Sequence, residues 1–328
     1  MWKKIFQDIT FEKRKQEPGF ESQTISIVKN IADDLPDTLT PDLVRRTLSS
    51  IPRGVIFVPV FDEFDRIKSP DASNLMADTI KALSDFGVDA TILIIGVADS
   101  IDELIEEHHS IERTLIQIPM QRMSNAEVTT IIENGLNALS LEIDDMEKKT
   151  IVDLSQGLPY ITHLLSLHSA KSAIKRESKI IQREDIKEGI RISLSDWQQS
   201  IKSAYYQATR SPQPGNIFRE VILACAFAET DDLGYFSAAS VRAPLNTIVP
   251  DRSYDIPNYA RHLKLLSGPD RGGLFDRVGE KRRLRYRFIS PLMRPYIVMR
   301  GIDDQIISRD QLSELAGDQL TPSVSVGL

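Results

Sequence analysis

The sequence predicts a mixed α/β protein, in which a unit with parallel strands precedes an all-helical module and a smaller module of helices and a hairpin. Two continuous apolar runs, at 55–61 and 90–96, are bounded by glycine or charged residues, as buried strands are. A helical pattern separates them, and this alternation of strand and helix favours parallel pairing. From Ser124 to about residue 195 only helical patterns remain. A chain of 328 residues is long enough for two or three domains.

The first fifty residues are expected to be helical. Apolar side chains recur at roughly helical spacing from Trp2 onwards. Thr40 and Pro41 then form the N-cap and first-turn pair that opens a further helix.

The rest of the α/β unit, which we place at residues 1–122, continues the alternation. A helix is expected from Ser73 to Phe86, because Gly87 suits the position just after a helix end. A helix at 101–107 and a short third strand at 115–119 follow. The strands are apolar throughout, which indicates a parallel sheet that is buried on both faces.

Residues 123–195 form the helical module. Ser124 and Glu127 are spaced as a capping box before its first helix. The remaining helices of this module are expected at 144–156, 159–175 and 183–194.

Residues 196–302 form the third module. Its helices are expected at 218–229, 237–243 and 256–266. From Gly272 to Phe288 an alternating pattern around a Gly279-Glu280 turn predicts a β-hairpin. Three helices followed by a hairpin is the order of a winged helix. Residues 303–328 are expected to be a flexible tail.

Composition restricts the environment of the protein. The single cysteine, Cys225, lies in an apolar run, so neither a disulfide nor a cysteine-rich metal site is expected. No apolar segment reaches 18 residues, and the first residues are too short an apolar stretch for a signal peptide. We therefore expect a cytoplasmic protein with no membrane partner.

Charge is unevenly distributed along the chain. The net charge is −7, yet residues 196–300 contain 16 lysines and arginines against 10 aspartates and glutamates. A basic segment attached to an acidic body indicates contact with a polyanion, although a solvated basic face without a partner gives the same count.

Asp62 and Glu63 end the first apolar run. Two carboxylates at the end of a buried strand are costly unless they hold a cation or a polarised water. This is the Walker B arrangement of P-loop ATPases. The alternative is that the two acids only begin the next helix, where Asp and Glu are common.

The order of several segments resembles the AAA+ ATPases, and in particular the initiator-like group, which has a helical lid and a winged helix. The segments are the strand ending in Asp62-Glu63, the strand ending in 96–102, and Ile111-Glu112-Arg113 before a third strand. The resemblance covers about residues 1–300.

The resemblance implies roles for several residues. Asp62 would hold Mg²⁺, and Glu63 would polarise the hydrolytic water. Asp99 lies where the family has a sensor-1 asparagine, so Ser100 could supply the polar contact instead. Both could equally cap the next helix. Arg113 would be an arginine finger for a neighbouring subunit of a homo-oligomer, or else a surface arginine paired with a nearby glutamate.

A second motif lies in the helical module. Gly157-Leu158-Pro159-Tyr160 resembles the Gly-x-Pro motif of signal-transduction ATPases, in which a lid proline contacts the region of the nucleotide base. The alternative is a helix start with Pro159 in its first turn, which needs no ligand.

One part of the family pattern is missing. The sequence has no G-x-x-x-x-G-K-[ST] motif, and the pair Gly-Lys does not occur. The resemblance therefore implies an incomplete P-loop NTPase core: an N-terminally truncated AAA+ or signal-transduction-type ATPase, whose nucleotide state would drive oligomerisation or remodelling of DNA or protein. ATP and Mg²⁺ are its cofactors by resemblance, but we expect weak or absent binding and no appreciable hydrolysis.

The basic residues of the third module suggest a different function, that of a non-catalytic DNA-binding or scaffold protein. A basic wing beside a basic helix can contact the backbone of duplex DNA, although such a module can also bind a protein partner. The candidate DNA contacts are Arg261, Lys264, Lys281, Arg282, Arg283 and Arg285.

Overall fold

The computed structural model forms two compact units, Met1–Pro119 and Met120–Leu328. The residues that the structure describes are 1–16, 24–51, 54–67, 69–96, 114–118, 120–213, 215–231, 233–280 and 283–317.

The first unit mixes helices with two pairs of strands. Its elements are α1 (Trp2–Gln7), β1 (Thr10–Gln16), β2 (Thr24–Asn30), α2 (Pro41–Ser49), β3 (Val60–Phe61), α3 (Pro70–Asp85) and β4 (Leu93–Ile94). β1 and β2 form an antiparallel hairpin, whereas β3 and β4 are parallel, with α3 between them along the chain. The core joins α1, α2 and α3 to the strands through Phe6, Val44, Leu48, Phe61 and Ile80.

Two expectations for this unit are wrong. Residues 1–50 are not all helical, because β1 and β2 form a hairpin between α1 and α2. Residues 115–118 are in no strand. A short apolar run does not by itself distinguish a strand from an extended loop, since the backbone must also find a pairing partner.

The second unit is mainly helical. Its elements are α4 (Asn125–Leu139), β5 (Glu142–Ile143), α5 (Asp145–Ser155), α6 (Pro159–Lys175), β6 (Ile180–Ile181), α7 (Arg183–Asp196), α8 (Gln199–Thr209), α9 (Phe218–Ala226), β7 (Phe236–Ser237), α10 (Arg242–Ile248), α11 (Ile256–Leu266), β8 (Phe275–Val278), β9 (Arg285–Phe288), α12 (Met293–Asp303) and α13 (Arg309–Gly317). β5 and β6 form a two-residue parallel pair that the sequence pattern did not indicate. The mixed α/β class, with small parallel strand pairs followed by a helical region, is confirmed.

The second unit has one hydrophobic core. Buried side chains from Val128 in α4 to Leu315 in α13 belong to a single cluster. Helices α6 and α7 pack closely, because Gly189 leaves room for Ser169 where a Cβ would lie 2.5 Å from the serine oxygen. The helical module and the third module are thus joined through shared apolar packing.

The expectation of a flexible tail is wrong for 309–317. These residues form α13, in which Leu312, Leu315 and Ala316 are buried. Arg309 Nη1 contacts both carboxylate oxygens of Glu147 in α5 at 2.8 Å. A helix with one apolar side and a largely buried ion pair is held by packing, so its position near the end of the sequence was a poor guide here.

The third module has a small antiparallel sheet of order β7-β9-β8. Tyr286 pairs with both Phe236 and Arg277, so β9 is the central strand. The rings of Phe236, Phe275, Tyr286 and Phe288 pack together with centroids 4.8–6.3 Å apart. This aromatic cluster packs the three strands of the sheet against one another.

Candidate functional site

Asp62 and Glu63 follow β3 directly, and both are exposed. An oxygen of Asp62 accepts the backbone N–H of Glu63 at 2.8 Å, and Glu63 has left-handed backbone angles of φ 55° and ψ 38°. The Glu63 carboxylate lies 3.1 Å from Arg66. The next N–H, that of Phe64, donates to the carbonyl oxygen of Ile95 at 3.0 Å, which extends the contact with the β4 segment.

The premise that these carboxylates end a strand buried on both faces is wrong. Along this run Pro59 and Phe61 are buried, whereas Val58 and Val60 are exposed. The neighbouring strand shows the same alternation, and its Leu93, the partner of Val60, is exposed. One face of the strand pair therefore packs on the core, while the other is apolar and is not covered by any described residue.

Three other candidates, Asp99, Ser100 and Arg113, lie outside the described residues. Within the described ranges, no group of three or more His, Cys, Asp or Glu side chains could hold a metal ion. The proposed sensor-1 and arginine-finger roles stay predictions.

The residues present do not fit a complete Mg²⁺–ATP site. One oxygen of Asp62 is occupied by a backbone N–H, and the Glu63 carboxylate is paired with a cation. A triphosphate also needs a cradle of backbone N–H groups and a lysine, and the sequence has no Gly-Lys pair to provide them. The acidic pair could supply carboxylate oxygens to a cation, but the sequence has no P-loop to hold the phosphates.

Gly157 lies where the backbone turns into α6. Its φ is +71°, and a Cβ there would lie 2.7 Å from the carbonyl oxygen of Met123 and 2.9 Å from Cβ of Arg122. The carbonyl oxygen of Gly157 accepts the N–H of Met123 at 2.9 Å. Glycine is thus required for the close approach of two backbone segments, whatever else the motif does.

Pro159 and Tyr160 begin α6. Pro159 is at the first helical position, where a missing N–H costs nothing. The side chain of Tyr160 is 61% exposed. The geometry is that of an ordinary helix start, and contact with a nucleotide base stays a prediction.

Two of the basic candidates lie on the outer face of α11. Tyr259, Leu263 and Leu266 of this helix are buried, and the Tyr259 hydroxyl donates to the carbonyl oxygen of Ala238 at 2.7 Å. Arg261 and Lys264 are exposed. They are three residues apart and therefore share one side of the helix.

The hairpin candidates differ from one another. Arg283 is exposed and precedes β9, so it lies outside the strand. Arg285 pairs with the carboxylate of Asp231. Lys281 and Arg282 lie outside the described residues.

Sequence reasoning missed the acidic partners of the hairpin arginines. Arg287 contacts Asp276 at 3.5 Å and lies over the Tyr235 ring, 4.5 Å from its centroid. The Tyr235 hydroxyl donates to the same carboxylate at 2.8 Å. The partner of Arg285, Asp231, is 54 residues away along the chain. A count of local charge cannot reveal such pairs, since it takes no account of three-dimensional neighbours.

No family model matches the chain, and no curated protein matches it either. Among similar solved structures, Cdc6p from Pyrobaculum aerophilum has 14% identity and a TM-score of 0.39, over 88% of this chain and 74% of that one. The ORC2 protein of Aeropyrum pernix, solved as ADPNP–ADP complexes, has 13% identity and a TM-score of 0.41, over 85% and 69%. The ORC1 protein of the same organism, solved with DNA, has 12% identity and a TM-score of 0.37, over 80% and 67%.

Cdc6p and the ORC proteins have AAA+ ATPase folds of the initiator-like kind that the sequence resembles. At these identities and TM-scores the likeness assigns neither a site nor an activity to this chain. Separately, none of the helices in the described ranges is both long and apolar enough to span a membrane.

Proposed function

We propose that this chain is an AAA+-type protein of the initiator-like group, in which residues 196–302 form a winged helix that contacts the backbone of duplex DNA. The observation that carries the proposal is the exposed pair Arg261 and Lys264 on α11. Neither side chain has a carboxylate partner among the described residues, so both charges are available to an external anion.

The arrangement around α11 supports this proposal. The order α9, β7, α10, α11, β8, β9, with sheet order β7-β9-β8, matches the order expected of a winged helix and supports the proposal. In DNA-binding modules of this kind the second helix of the α10–α11 pair enters the major groove. Burial of Tyr259, Leu263 and Leu266 anchors α11, which leaves its basic side to face the DNA.

The contribution of the hairpin is smaller than the sequence suggested. Arg285 and Arg287 are already paired with Asp231 and Asp276. Breaking these ion pairs would offset part of the binding free energy gained from a phosphate contact. Of the hairpin arginines that the sequence singled out, Arg283 is exposed and remains a good candidate contact. These intramolecular pairs also favour the second candidate function, a winged helix that contacts a protein.

The test is binding of the full chain to a labelled duplex of mixed sequence, followed by fluorescence anisotropy at increasing sodium chloride. Each phosphate contact releases counterions, so replacing Arg261 and Lys264 together by glutamine should weaken binding. The slope of the logarithm of the binding constant against the logarithm of the salt concentration should also become less steep by about two. The matched control replaces Arg183 and Lys187, an exposed cationic pair on α7, by glutamine. Equal effects of the two double variants, or no binding at low salt, would refute DNA contact through α11 and favour a protein partner.

We propose further that this chain does not hydrolyse ATP by itself. The support is the poor fit of Asp62, Glu63 and the rest of the described residues to Mg²⁺–ATP. Oligomerisation or remodelling driven by nucleotide would then need phosphate-binding groups from another chain.

A further inference from the structure

A cleft of about 590 Å³ opens in the second unit, between α7, α8 and α12 and beside the first turn of α9. Its volume is in the range of small-molecule sites, roughly 300–1,000 Å³. The cations in its wall are Arg191, Lys202, Arg219 and Arg300, against a single carboxylate, that of Asp303. The cleft belongs to none of the sites considered above.

Two of these cations are neutralised inside the protein. Arg191 makes two hydrogen bonds to the carboxylate of Glu188, at 2.8 and 2.6 Å. Arg300 contacts Asp304 at 2.6 and 2.9 Å and Asp303 at 3.1 Å.

The other two cations have no close carboxylate partner among the described residues. The ammonium group of Lys202 donates to the backbone carbonyl oxygen of Ser195, which is a neutral acceptor. Arg219 lies 4.0 Å from Asp304, whose two oxygens already accept hydrogen bonds from Arg300. The side chain of Arg219 is also 55% exposed. An anion can therefore approach both cations without breaking a close ion pair.

The cleft also has an aromatic floor. Tyr205 and Tyr296 are buried and pack edge to face with centroids 5.4 Å apart, and Trp197 packs against Tyr296. Burial raises the pKa of Tyr205 to about 12, which reflects how completely the ring is enclosed. A floor held by ring packing keeps the cations around it in a fixed arrangement.

We propose that this cleft binds a small phosphate-bearing anion. Two cations on different helices, Lys202 on α8 with no carboxylate partner among the described residues and Arg219 on α9 with only the 4.0 Å contact to Asp304, favour a ligand with several negative oxygens. The planar guanidinium of Arg219 can contact two of these oxygens at once, and the Lys202 ammonium acts as a compact point charge. A neutral or cationic ligand would have no electrostatic attraction to these two cations.

The experiment is isothermal titration calorimetry of the full chain with sodium pyrophosphate in chloride buffer. Wild type should bind, and Arg219→Gln and Lys202→Gln should each weaken binding by about tenfold, as loss of a charge-assisted contact implies. Arg219→Lys keeps the charge and should retain part of the affinity. Arg183→Gln removes an exposed cation of α7 outside the cleft wall and should leave the affinity unchanged.

Duplex DNA is the other source of phosphate and forms the second arm. Measured by anisotropy, Arg219→Gln should leave DNA affinity unchanged if the ligand is a small anion. If pyrophosphate does not bind while Arg219→Gln weakens DNA binding, the cleft contacts a nucleic acid backbone and the proposal is wrong. Equal pyrophosphate affinity in wild type and both glutamine variants would also overturn it. Thermal melts of each variant check that the fold is intact.

Discussion

Replacing Gly157 by alanine tests whether this residue of the Gly-x-Pro motif is needed for the fold. The new Cβ would lie 2.7 Å from the carbonyl oxygen of Met123, a backbone atom that cannot rotate away. Placing alanine at φ +71° destabilises the folded state by about 1–2 kcal/mol, and the backbone shift that the clash forces destabilises it by roughly another 1–3 kcal/mol. We therefore expect the free energy of unfolding of the second unit to fall by about 2–5 kcal/mol.

The matched control is Gly135→Ala in the middle of α4. A Cβ at this position meets no atom within 4 Å, so the variant should be more stable by about 0.5–1 kcal/mol. The assay is urea unfolding followed by tryptophan fluorescence in a Trp2→Phe background, because Trp197 is then the one tryptophan left and lies in the second unit. Similar stabilities of Gly157→Ala and Gly135→Ala would refute the steric argument. If nucleotide stabilises wild type but not Gly157→Ala, while the two are equally stable without nucleotide, a ligand role for Gly157 is favoured instead.

Three further outcomes are expected. Purified chain should release no phosphate from ATP at a measurable steady rate, and turnover abolished by Glu63→Gln would contradict the poor fit of the site. In hydrogen exchange, amides of β3 and β4 should exchange faster than those of α6, because one face of the strand pair is uncovered while Ile161 and Leu165 of α6 are fully buried; equal protection would show a sheet that is stable on its own. Burial alone would raise the pKa of Asp185, but hydrogen bonds from Arg176, Ser172 and the Gln182 N–H lower it below its ordinary value. This carboxylate therefore stabilises the fold above roughly pH 4 and ceases to do so as the pH falls through its lowered pKa. Asp185→Asn should lower the free energy of unfolding by about 1–3 kcal/mol at pH 7. The variant should also lose less stability than wild type as the pH falls, which urea titrations at several pH values would measure.

Several helices of the second unit could be predicted closely from sequence because their signals are local, but the helix expected at 237–243 is wrong, since α10 spans Arg242–Ile248, and α8, α12 and α13 were not predicted. α6 begins at Pro159 and α11 spans Ile256–Leu266, as the capping and periodicity rules indicated. The hairpin of β1 and β2 could not be predicted in the same way. Its strands pair Thr10 with Asn30, and the apolar spacing before them continues the pattern of α1. A pairing partner that far along the chain leaves no local signal.

The candidate sites show the same division between local and distant information. Arg261 and Lys264 could be assigned to one helix face from their spacing, and both are exposed on that face. The pairing of Arg285 with Asp231 could not be predicted from sequence, because it depends on how the hairpin packs. The anion cleft was missed altogether, since Lys202 and Arg219 lie on separate helices within a stretch of ordinary composition.

The strand ending at Asp62 shows why an apolar run does not reveal its own environment. In a strand, successive side chains point to opposite faces, so a continuous apolar run is expected only where both faces are covered. Here Phe61 is buried, while Ile56, 88% exposed, and Val60 are not covered by any described residue of the first unit. Apolar side chains grouped on one sheet face cost free energy in water and are typical of interaction surfaces. The apolar composition of this run is typical of a strand with both faces covered, whereas the described residues of the first unit cover only one of its faces. We therefore expect the other face to be a contact surface.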